Sequence, residues 1–283
     1  MQRYLAYLHE KLDPIYPISE VGSFSRLLLS KLAGMSSVQI YSDKDRNFPE
    51  HTLIKLMDAI NRLSRMEPIQ YILGETEFCN FLFHVRPGVL IPRPETEELV
   101  ERIVLDCQDH GKCKQILDVG TGSGCIAISL AKLLPMSNVT AWDISPEALV
   151  IAIDNAARNK VNVCFEQKDV LNFKLESQHR ATLDILVSNP PYVRQSEADD
   201  MGANVLEHEP HVALFVENSD ALIFYRIISS LATEMLKPGG ALYFEINSNL
   251  GKETLETVNA FNFKKVDLFQ DLSGKDRMIR AIR

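Results

Sequence analysis

The sequence predicts an α/β protein, in which a helical bundle precedes a mostly parallel sheet with an antiparallel last strand. Strand-like and helix-like segments alternate from residue 115 to residue 283, which is typical of a parallel sheet covered by helices on both faces. Residues 1–72 show only helical periodicity. A chain of 283 residues has room for two domains, and we expect them at residues 1–72 and 93–283, joined by a linker at 73–92.

The first domain is expected to be a bundle of short helices. Apolar residues recur at every third or fourth position within residues 24–32 and 53–63, so each stretch has one apolar face. Short helices bury such faces against one another, and no residue of this region suggests catalytic chemistry. In the linker, Phe78 and Phe81 flank Asn80 in a β-like pattern, which predicts a hairpin between the domains.

The second domain is expected to alternate strands and helices along most of its length. The final two strands are separated by a short polar turn and are expected to pair antiparallel. The expected strands are 115–119, 138–142, 161–166, 183–188, 241–246, 264–269 and 277–282, and the expected helices are 125–134, 146–159, 220–236 and 252–259.

The net charge of −8 lies entirely after residue 90. Residues 1–90 carry 10 Lys and Arg against 10 Asp and Glu, which leaves 20 against 28 for the remainder. So acidic a domain gains nothing from counterion release on a polyanion, and direct binding to nucleic acid is not expected. The first ten residues lack the apolar core of a signal peptide, and no apolar run is long enough to span a membrane. These features favour a cytoplasmic protein without a membrane partner.

The five cysteines are scattered and show no Cys-x-x-Cys spacing. This pattern supports neither a disulfide framework nor a zinc site, and no metal is expected. Reduced thiols are therefore expected at Cys79, Cys107, Cys113, Cys125 and Cys164.

A glycine-rich turn follows the first predicted strand, where residues 118–124 read Asp-Val-Gly-Thr-Gly-Ser-Gly. Gly120, Gly122 and Gly124 let the backbone turn tightly and approach a ligand at a helix N-terminus. The dinucleotide fingerprint Gly-x-Gly-x-x-Gly requires glycine where Cys125 stands. Asp118 would also repel a diphosphate and attract a cationic amino-acid group. The turn therefore argues against a dinucleotide.

Two acidic residues follow the next strands at the same expected edge of the sheet. Asp143 ends the second strand, 19 residues after Gly124, where a carboxylate accepts hydrogen bonds from ribose hydroxyls. Asp169 follows the third strand and is placed to meet an adenine, although an ordinary turn explains it equally well. An adenosine-bearing ligand fits both positions. Asp143 is also placed to cap the helix that begins at Pro146, and this role is compatible with binding a ribose.

The fourth predicted strand ends in Asn189, Pro190, Pro191 and Tyr192. Residues 183–188 form a continuous apolar run, as in a strand buried on both faces, and the two prolines stop it because they cannot donate to a sheet. Asn189 is then held in a stiff, donor-poor corner beside an aromatic ring. Such a corner suits a planar group that carries NH₂.

Together these three features resemble the Rossmann-like class I methyltransferases that use S-adenosylmethionine and methylate planar nitrogens. The wider chain resembles one family more closely, the peptide chain release factor glutamine methyltransferases. The resembling stretches are Glu-Pro-Ile-Gln-Tyr-Ile-Leu-Gly at 67–74, Val-Leu-Ile-Pro-Arg-Pro-Glu-Thr-Glu at 89–97, Glu-Pro at 209–210 and Asp-Leu-Ser-Gly-Lys-Asp-Arg at 271–277. The resemblance spans nearly the whole chain from about residue 20.

The resemblance implies a protein-glutamine N-methyltransferase with S-adenosylmethionine as cofactor and S-adenosylhomocysteine as product. Its substrate would be the glutamine in the GGQ motif of a release factor, docked by the helical domain. The implied cofactor contacts are Gly120, Thr121, Gly122, Ser123, Gly124, Asp143, Asp169, Val170 and Asn189. Some members have an aromatic residue where this chain has Val170, so adenine stacking on that side is an open point.

The implied substrate contacts are Asn189, Pro190, Pro191 and Tyr192. Catalytic roles are expected for three of them: Asn189 and the Pro190 carbonyl accept the two N–H hydrogens of the amide, and Tyr192 packs on the amide plane. The acidic segment 193–216 is expected to form a loop that opens and closes over this corner. Its His208 and His211 are interpreted as surface residues.

Several other functions use similar features. An adenine-specific DNA methyltransferase shares the Asn-Pro-Pro-Tyr corner but needs a basic surface, and a ribosomal protein is a second candidate source of the glutamine. A nicotinamide-dependent oxidoreductase is disfavoured by the position of the third glycine. A binding module that has lost its chemistry is disfavoured by the intact corner at residues 189–192.

Overall fold

The computed structural model describes residues 1–43, 45–107 and 114–283. Among them, the α-helices are α1 (Gln2–Leu12), α2 (Ile18–Ala33), α3 (Ser37–Ser42), α4 (Glu50–Leu63), α5 (Ile69–Leu73), α6 (Pro94–Asp106), α7 (Cys125–Leu133), α8 (Pro146–Asn159), α9 (Ala203–Leu206), α10 (His211–Leu214), α11 (Ile223–Met235) and α12 (Gly251–Asn259). The strands are β1 (Glu75–Phe78), β2 (Phe81–His84), β3 (Gln115–Val119), β4 (Asn138–Asp143), β5 (Cys164–Gln167), β6 (Leu183–Ser188), β7 (Val193–Arg194), β8 (Phe215–Val216), β9 (Leu236–Glu245), β10 (Lys265–Gln270) and β11 (Asp276–Ile282).

The chain divides into two compact units, residues 1–75 with 202–208 and residues 76–201 with 209–283. In the first unit α1, α2 and α4 contribute the fully buried Leu8, Leu28 and Leu56 to one apolar core. Helices α2, α4 and α5 each begin directly after a proline in extended conformation. Proline suits this position because it has no N–H to leave unpaired at the start of a helix.

The predicted hairpin is confirmed as the pair β1–β2. Its two turn residues, Cys79 and Asn80, have φ values of 50° and 61°. Two consecutive positive φ values define the tight turn whose twist matches that of the flanking strands.

The predicted α/β class is confirmed by a seven-stranded sheet in the second unit, with the order β10–β11–β9–β6–β3–β4–β5. β11 runs antiparallel to both of its neighbours, β9 and β10, and the other neighbouring strands are parallel. Val119 pairs with both Trp142 and Ser188, and Ser188 pairs with Phe244. The four central strands therefore end at the same level, and the chain reverses its direction of travel between β3 and β6, where open sheets bind ligands.

Alternate residues of β3 enter two separate cores. Ile116 lies in a cluster with residues of α6 and α7, whereas Leu117 and Val119 lie in a cluster with α11 and α12. The sheet is thus buried on both faces, which explains the continuous apolar runs in its central strands.

Two strands, β5 and β9, begin more than one residue away from the expected position. β5 begins at Cys164 because Lys160 adopts φ 58° as the C-cap of α8 and the Val161 N–H donates to the Ala156 carbonyl. β9 begins earlier, at Leu236, and runs through Pro238 and two glycines. A Cβ atom on Gly240 would lie 3.1 Å from the Asp184 carbonyl oxygen, so a close approach to β6 requires glycine there.

Cys79, Cys107, Cys125 and Cys164 are free thiols, and Cys113 lies outside the described residues. In the described part of the chain, no helix combines the length and apolar character needed to cross a bilayer. Within the same residues, no group of three or more His, Cys, Asp or Glu side chains could hold a metal ion.

Candidate active site

A cavity of about 240 Å³ opens at the carboxyl edge of the sheet, within the second unit. Its walls come from the segments that follow β3, β4, β5 and β6, together with the segment before α6 and the start of α11. The lining residues are 88–90, 119, 120, 122, 142–145, 148, 168–171, 188–191, 210, 212, 213, 224 and 228.

The glycine turn after β3 forms one side of the cavity. The N–H groups of Gly120 and Thr121 both donate to the Trp142 carbonyl over 2.9 Å, which binds the turn to the end of β4. Gly124 has φ 82°, and a Cβ atom there would lie 2.8 Å from Ile128 Cδ1 and 3.1 Å from Ala152 Cβ. This position therefore requires glycine for its conformation and for the contact between α7 and α8.

Asp143 connects the glycine turn to the start of α8. Gly122 N–H donates to its Oδ2 over 2.8 Å and Ser145 N–H donates to its Oδ1 over 2.9 Å. Burial raises the pKa of the Asp143 carboxyl, and these backbone N–H groups oppose the shift. Each carboxylate oxygen keeps a lone pair that a sugar diol can use. The N-cap of α8 is Ser145 and not Asp143, because Ser145 Oγ accepts from Ala148 N–H over 3.1 Å.

Asp118 is fully buried beneath the turn and does not line the cavity. Thr121 Oγ1 donates to Asp118 Oδ2 over 2.6 Å. Burial, together with the charge of Asp143, raises the pKa of the Asp118 carboxyl to about 7. Asp118 therefore supports the turn from below.

The opposite wall is largely apolar and includes Val170. Asp169 also lines it, but its carboxylate accepts from Leu171 N–H over 3.0 Å and from Asn172 Nδ2 over 2.7 Å, as in an ordinary turn. Trp142 lines the cavity and lies against Phe173 with ring centroids 4.7 Å apart. The sequence interpretation missed Trp142, although a tryptophan directly before the acidic end of a strand is a visible signal.

The Asn-Pro-Pro-Tyr corner lies at the end of β6. Asn189 Nδ2 donates to Thr96 Oγ1 over 3.3 Å, and Tyr192 Oη donates to Glu245 Oε1 over 3.2 Å. Thr96 Oγ1 in turn donates to Glu245 Oε2 over 2.6 Å. One carboxylate thus receives hydrogen bonds from two hydroxyls, and both ends of the corner are connected to it.

Glu245, at the end of β9, is 1% exposed. Burial raises the pKa of its carboxyl, and the Thr96 hydrogen bond and the Arg277 charge oppose this shift. Arg277 Nε is itself fixed by Asp271 Oδ2 at 3.0 Å. Neither Thr96 nor Glu245 was predicted as a site residue, although Thr96 lies within the Pro-Arg-Pro-Glu-Thr-Glu stretch.

Arg93 lies in an ion pair with Glu209, with Nη2 and Oε1 2.5 Å apart. Glu209 is buried, and its Oε2 also accepts from Ile91 N–H over 3.0 Å. Two of the stretches that resemble the family are therefore in contact. The pair fixes the chain immediately before Pro210, which lines the cavity.

Asn155 supports the glycine turn from α8. Its fully buried Nδ2 donates to the carbonyls of His84 and Ser123 over 2.9 Å each, and its Oδ1 accepts from His84 N–H over 2.6 Å. This side chain connects the hairpin to the turn, and no local sequence pattern indicated it.

The predicted site residues divide into two sets. Those that line the cavity are Gly120, Gly122, Asp143, Asp169, Val170, Asn189, Pro190 and Pro191. Those that do not are Thr121, Ser123, Gly124 and Tyr192. His208 and His211 also lie outside the lining, and His208 Nε2 donates to the Arg65 carbonyl over 3.0 Å within the first unit.

The fold and this site define a methyltransferase of the Rossmann-like class. Residues 96–214 match a family model described as the methyltransferase small domain, and residues 6–74 match one described as the PrmC N-terminal domain. A solved 16S rRNA methyltransferase from T. thermophilus, in complex with AdoMet and guanosine, shares the fold with a TM-score of 0.54 at 19% identity, over 74% of this chain and 49% of that one.

The particular family follows from full-length similarity. The release factor glutamine methyltransferase of Bacteroides thetaiotaomicron is 46% identical over 283 residues, which is 100% of both chains. That of Flavobacterium psychrophilum is 45% identical over 99% of this chain and 98% of its own. The chain belongs to the release factor glutamine methyltransferase family, as its sequence motifs predicted.

Proposed function

We propose that this protein transfers the methyl group of S-adenosylmethionine to the side-chain amide nitrogen of the glutamine in the GGQ motif of a peptide chain release factor. The product of the cofactor is S-adenosylhomocysteine. The observation that carries the proposal is an Asn-Pro-Pro-Tyr corner that borders the cavity in a chain 46% identical, over its full length, to a release factor glutamine methyltransferase.

The cavity fits the chemistry of the cofactor. The Asp143 carboxylate offers acceptors for a ribose diol, and the apolar Trp142 and Val170 suit a purine. Gly120 and Gly122 adopt φ values of 76° and 55°, and the space where their Cβ atoms would lie is empty to 4 Å. A ligand can therefore approach the backbone of the turn closely.

The substrate nitrogen is a poor nucleophile because its lone pair is delocalised into the amide carbonyl. Asn189 and the Pro190 carbonyl accept its two N–H hydrogens, which orients the remaining lobe and stabilises the positive charge that develops on nitrogen. When bound, S-adenosylmethionine supplies a methyl group on a positively charged sulfur. The amide nitrogen takes this methyl group in line, and the sulfur keeps the electron pair of the broken bond. The proton leaves readily after transfer, so no strong general base is needed. Tyr192 contributes its ring to the same corner.

The first unit is proposed to dock the release factor, because the residues that line the cavity all belong to the second unit. Helix α3 exposes Val38 and Tyr41 to 75% and 65%. Replacing both by Ser should raise the KM for the whole release factor several-fold and leave the KM for a short GGQ peptide unchanged. Val150→Ser, an exposed apolar change on α8, is the matched control. Equal effects on both substrates would contradict the docking role.

The net charge of −8 supports a reaction without direct nucleic-acid binding, and a substrate that acts in translation supports a cytoplasmic reaction.

The decisive experiment incubates the protein with methyl-labelled S-adenosylmethionine and, separately, release factor, ribosomal protein and DNA. Label should appear in the release factor, on the GGQ glutamine by mass spectrometry. Label in DNA alone, or in ribosomal protein alone, would overturn the proposal.

Asn189→Ala provides the internal control for this experiment. The variant should still bind S-adenosylhomocysteine, as followed by the fluorescence of Trp142, but should lose at least about a hundredfold in methylation rate. A variant that binds normally and methylates at the wild-type rate would remove the role of Asn189.

A further inference from the structure

We infer that Glu245 and Thr96 fix the direction in which the Asn189 side-chain amide faces, so that its oxygen, not its NH₂ group, is presented to the substrate. Neither residue is placed to touch the reacting atoms, and both are positioning residues. The inference rests on the proposed function only in its last step, where the oxygen of Asn189 meets the N–H of a glutamine.

The direction is set first at Glu245. An ionised carboxylate has no proton to donate, so every hydroxyl bonded to it must act as the donor. Two hydroxyls are bonded to it, Thr96 Oγ1 at 2.6 Å and Tyr192 Oη at 3.2 Å. Burial raises the pKa of this carboxyl, whereas the two hydroxyl hydrogen bonds and the charge of Arg277 favour its ionised form.

The direction is then passed to Asn189 by the hydroxyl of Thr96. A hydroxyl carries a single hydrogen, and that of Thr96 is given to Glu245. Towards Asn189, Thr96 Oγ1 therefore offers only a lone pair. The group of Asn189 that lies 3.3 Å from it must be the donor Nδ2, because Oδ1 in that place would set two acceptors against each other. Thr96 is 2% exposed, so water cannot readily replace this contact.

The orientation of the Asn189 amide matters for the substrate because Asn189 lines the cavity. With Nδ2 bound to Thr96, Oδ1 is the half of the amide that is left to accept a hydrogen bond. A reversed amide would set its NH₂ group against the NH₂ group of the substrate, and neither donor would find an acceptor in the other. The amide of Asn189 is therefore held in one of its two possible orientations before any substrate binds.

The test compares Thr96→Val, which keeps the shape and removes the hydroxyl, with Thr96→Ser, which keeps the hydroxyl. Thr254→Val is the matched control, because Thr254 is fully buried and its Oγ1 donates to the Leu250 carbonyl over 2.7 Å in α12. We expect kcat to fall at least about tenfold in Thr96→Val, with less than about twofold change in the KM for S-adenosylmethionine. Thr96→Ser should retain kcat within about threefold, and Thr254→Val should retain it fully.

A second readout does not depend on methylation. In ¹⁵N-labelled protein, the side-chain NH₂ resonance of Asn189 is identified by its absence from the Asn189→Ala spectrum. Its hydrogens should exchange slowly with solvent in the wild type and in Thr96→Ser, and at least about tenfold faster in Thr96→Val.

Equal exchange in the wild type and Thr96→Val would overturn the inference whatever the methylation rate. So would a Thr96→Ser variant as impaired in kcat as Thr96→Val, since the methyl group and not the hydroxyl would then be the part that matters. Slow exchange in a wild-type protein that does not methylate release factor would instead remove the proposed function and leave the direction of Asn189 established.

Discussion

Gly122 donates its backbone N–H to Asp143 Oδ2 over 2.8 Å, so the glycine turn after β3 is fixed by the carboxylate that ends β4. Because Ser145 N–H occupies the other oxygen, the same carboxylate also fixes the start of α8. A change at Asp143 therefore acts on the shape of the turn as well as on the ligand.

Asp143→Asn should weaken binding of S-adenosylhomocysteine roughly 10- to 100-fold, because the amide NH₂ faces a backbone N–H that previously found an acceptor. Binding is measured by the fluorescence of Trp142, the single tryptophan of the chain. Asp220→Asn, which changes a carboxylate paired with Arg226 at the surface, is the control. A loss below about threefold in Asp143→Asn would contradict the role of this carboxylate.

Gly124→Ala should lower the free energy of unfolding more than Gly239→Ala does. Both glycines have φ 82°, so both changes place an alanine at a positive φ that L-residues rarely adopt. Only at Gly124 does the new Cβ meet neighbours, 3.1 Å from Ala152 Cβ of α8 and 2.8 Å from Ile128 Cδ1, whereas nothing lies within 4 Å at Gly239. We expect a difference of about 1–3 kcal/mol by urea denaturation. Equal losses of unfolding free energy in the two variants would show that the contact between α7 and α8 at Gly124 does not require glycine.

Asp118→Asn should change stability in a pH-dependent way. Burial raises the pKa of this carboxyl from 3.8 to about 7, so the folded protein retains a proton that the unfolded chain releases between these pH values. Wild-type stability therefore falls as pH rises through this window, and the variant escapes the fall. Its stability relative to the wild type should rise from pH 4 to pH 8 by up to about 4 kcal/mol.

The measurement is urea denaturation of both proteins at several pH values, with Asp220→Asn as the surface control. A difference between Asp118→Asn and the wild type that stays constant from pH 4 to pH 8 would refute the assignment.

Asn155→Ala should impair both stability and cofactor binding. It removes a fully buried side chain with three hydrogen bonds, and we expect a loss of about 2–4 kcal/mol in the free energy of unfolding. Asn159→Ala, one turn along α8, is the matched control, because Asn159 bonds to the Leu82 carbonyl of the hairpin but not to the glycine turn. Only the Asn155 variant should weaken binding of S-adenosylhomocysteine, measured by fluorescence at a temperature where both variants are folded. Equal affinities in the two variants would refute the connection.

The fold could be predicted from the sequence where the hydrophobic pattern of a single segment is strong. The alternation of apolar strands with amphipathic helices predicted the central sheet. The third strand was placed three residues early, because apolar residues at 161 and 163 gave no sign that Lys160 turns the chain in a left-handed conformation.

Only the parts of the candidate site that are continuous in the chain could be predicted from the sequence. The glycine turn and the Asn-Pro-Pro-Tyr corner are each continuous in the chain, so their composition was visible. Thr96 and Glu245 lie 149 residues apart, and Asn155 lies 71 residues from His84. Contacts of this kind depend on how strands are ordered in the sheet, which no local pattern encodes. The family resemblance indicated one stretch around Thr96 but not its partner.

The position of β11 between β9 and β10 has a consequence for biosynthesis. Every other strand of the sheet is made before residue 276, yet Arg277, which neighbours Glu245, belongs to this late strand. While the chain is emerging, residues 241–245 of β9 present an unpaired edge that β11 has not yet covered. The nascent protein is therefore most exposed to mispairing with other chains just before synthesis of this strand is complete.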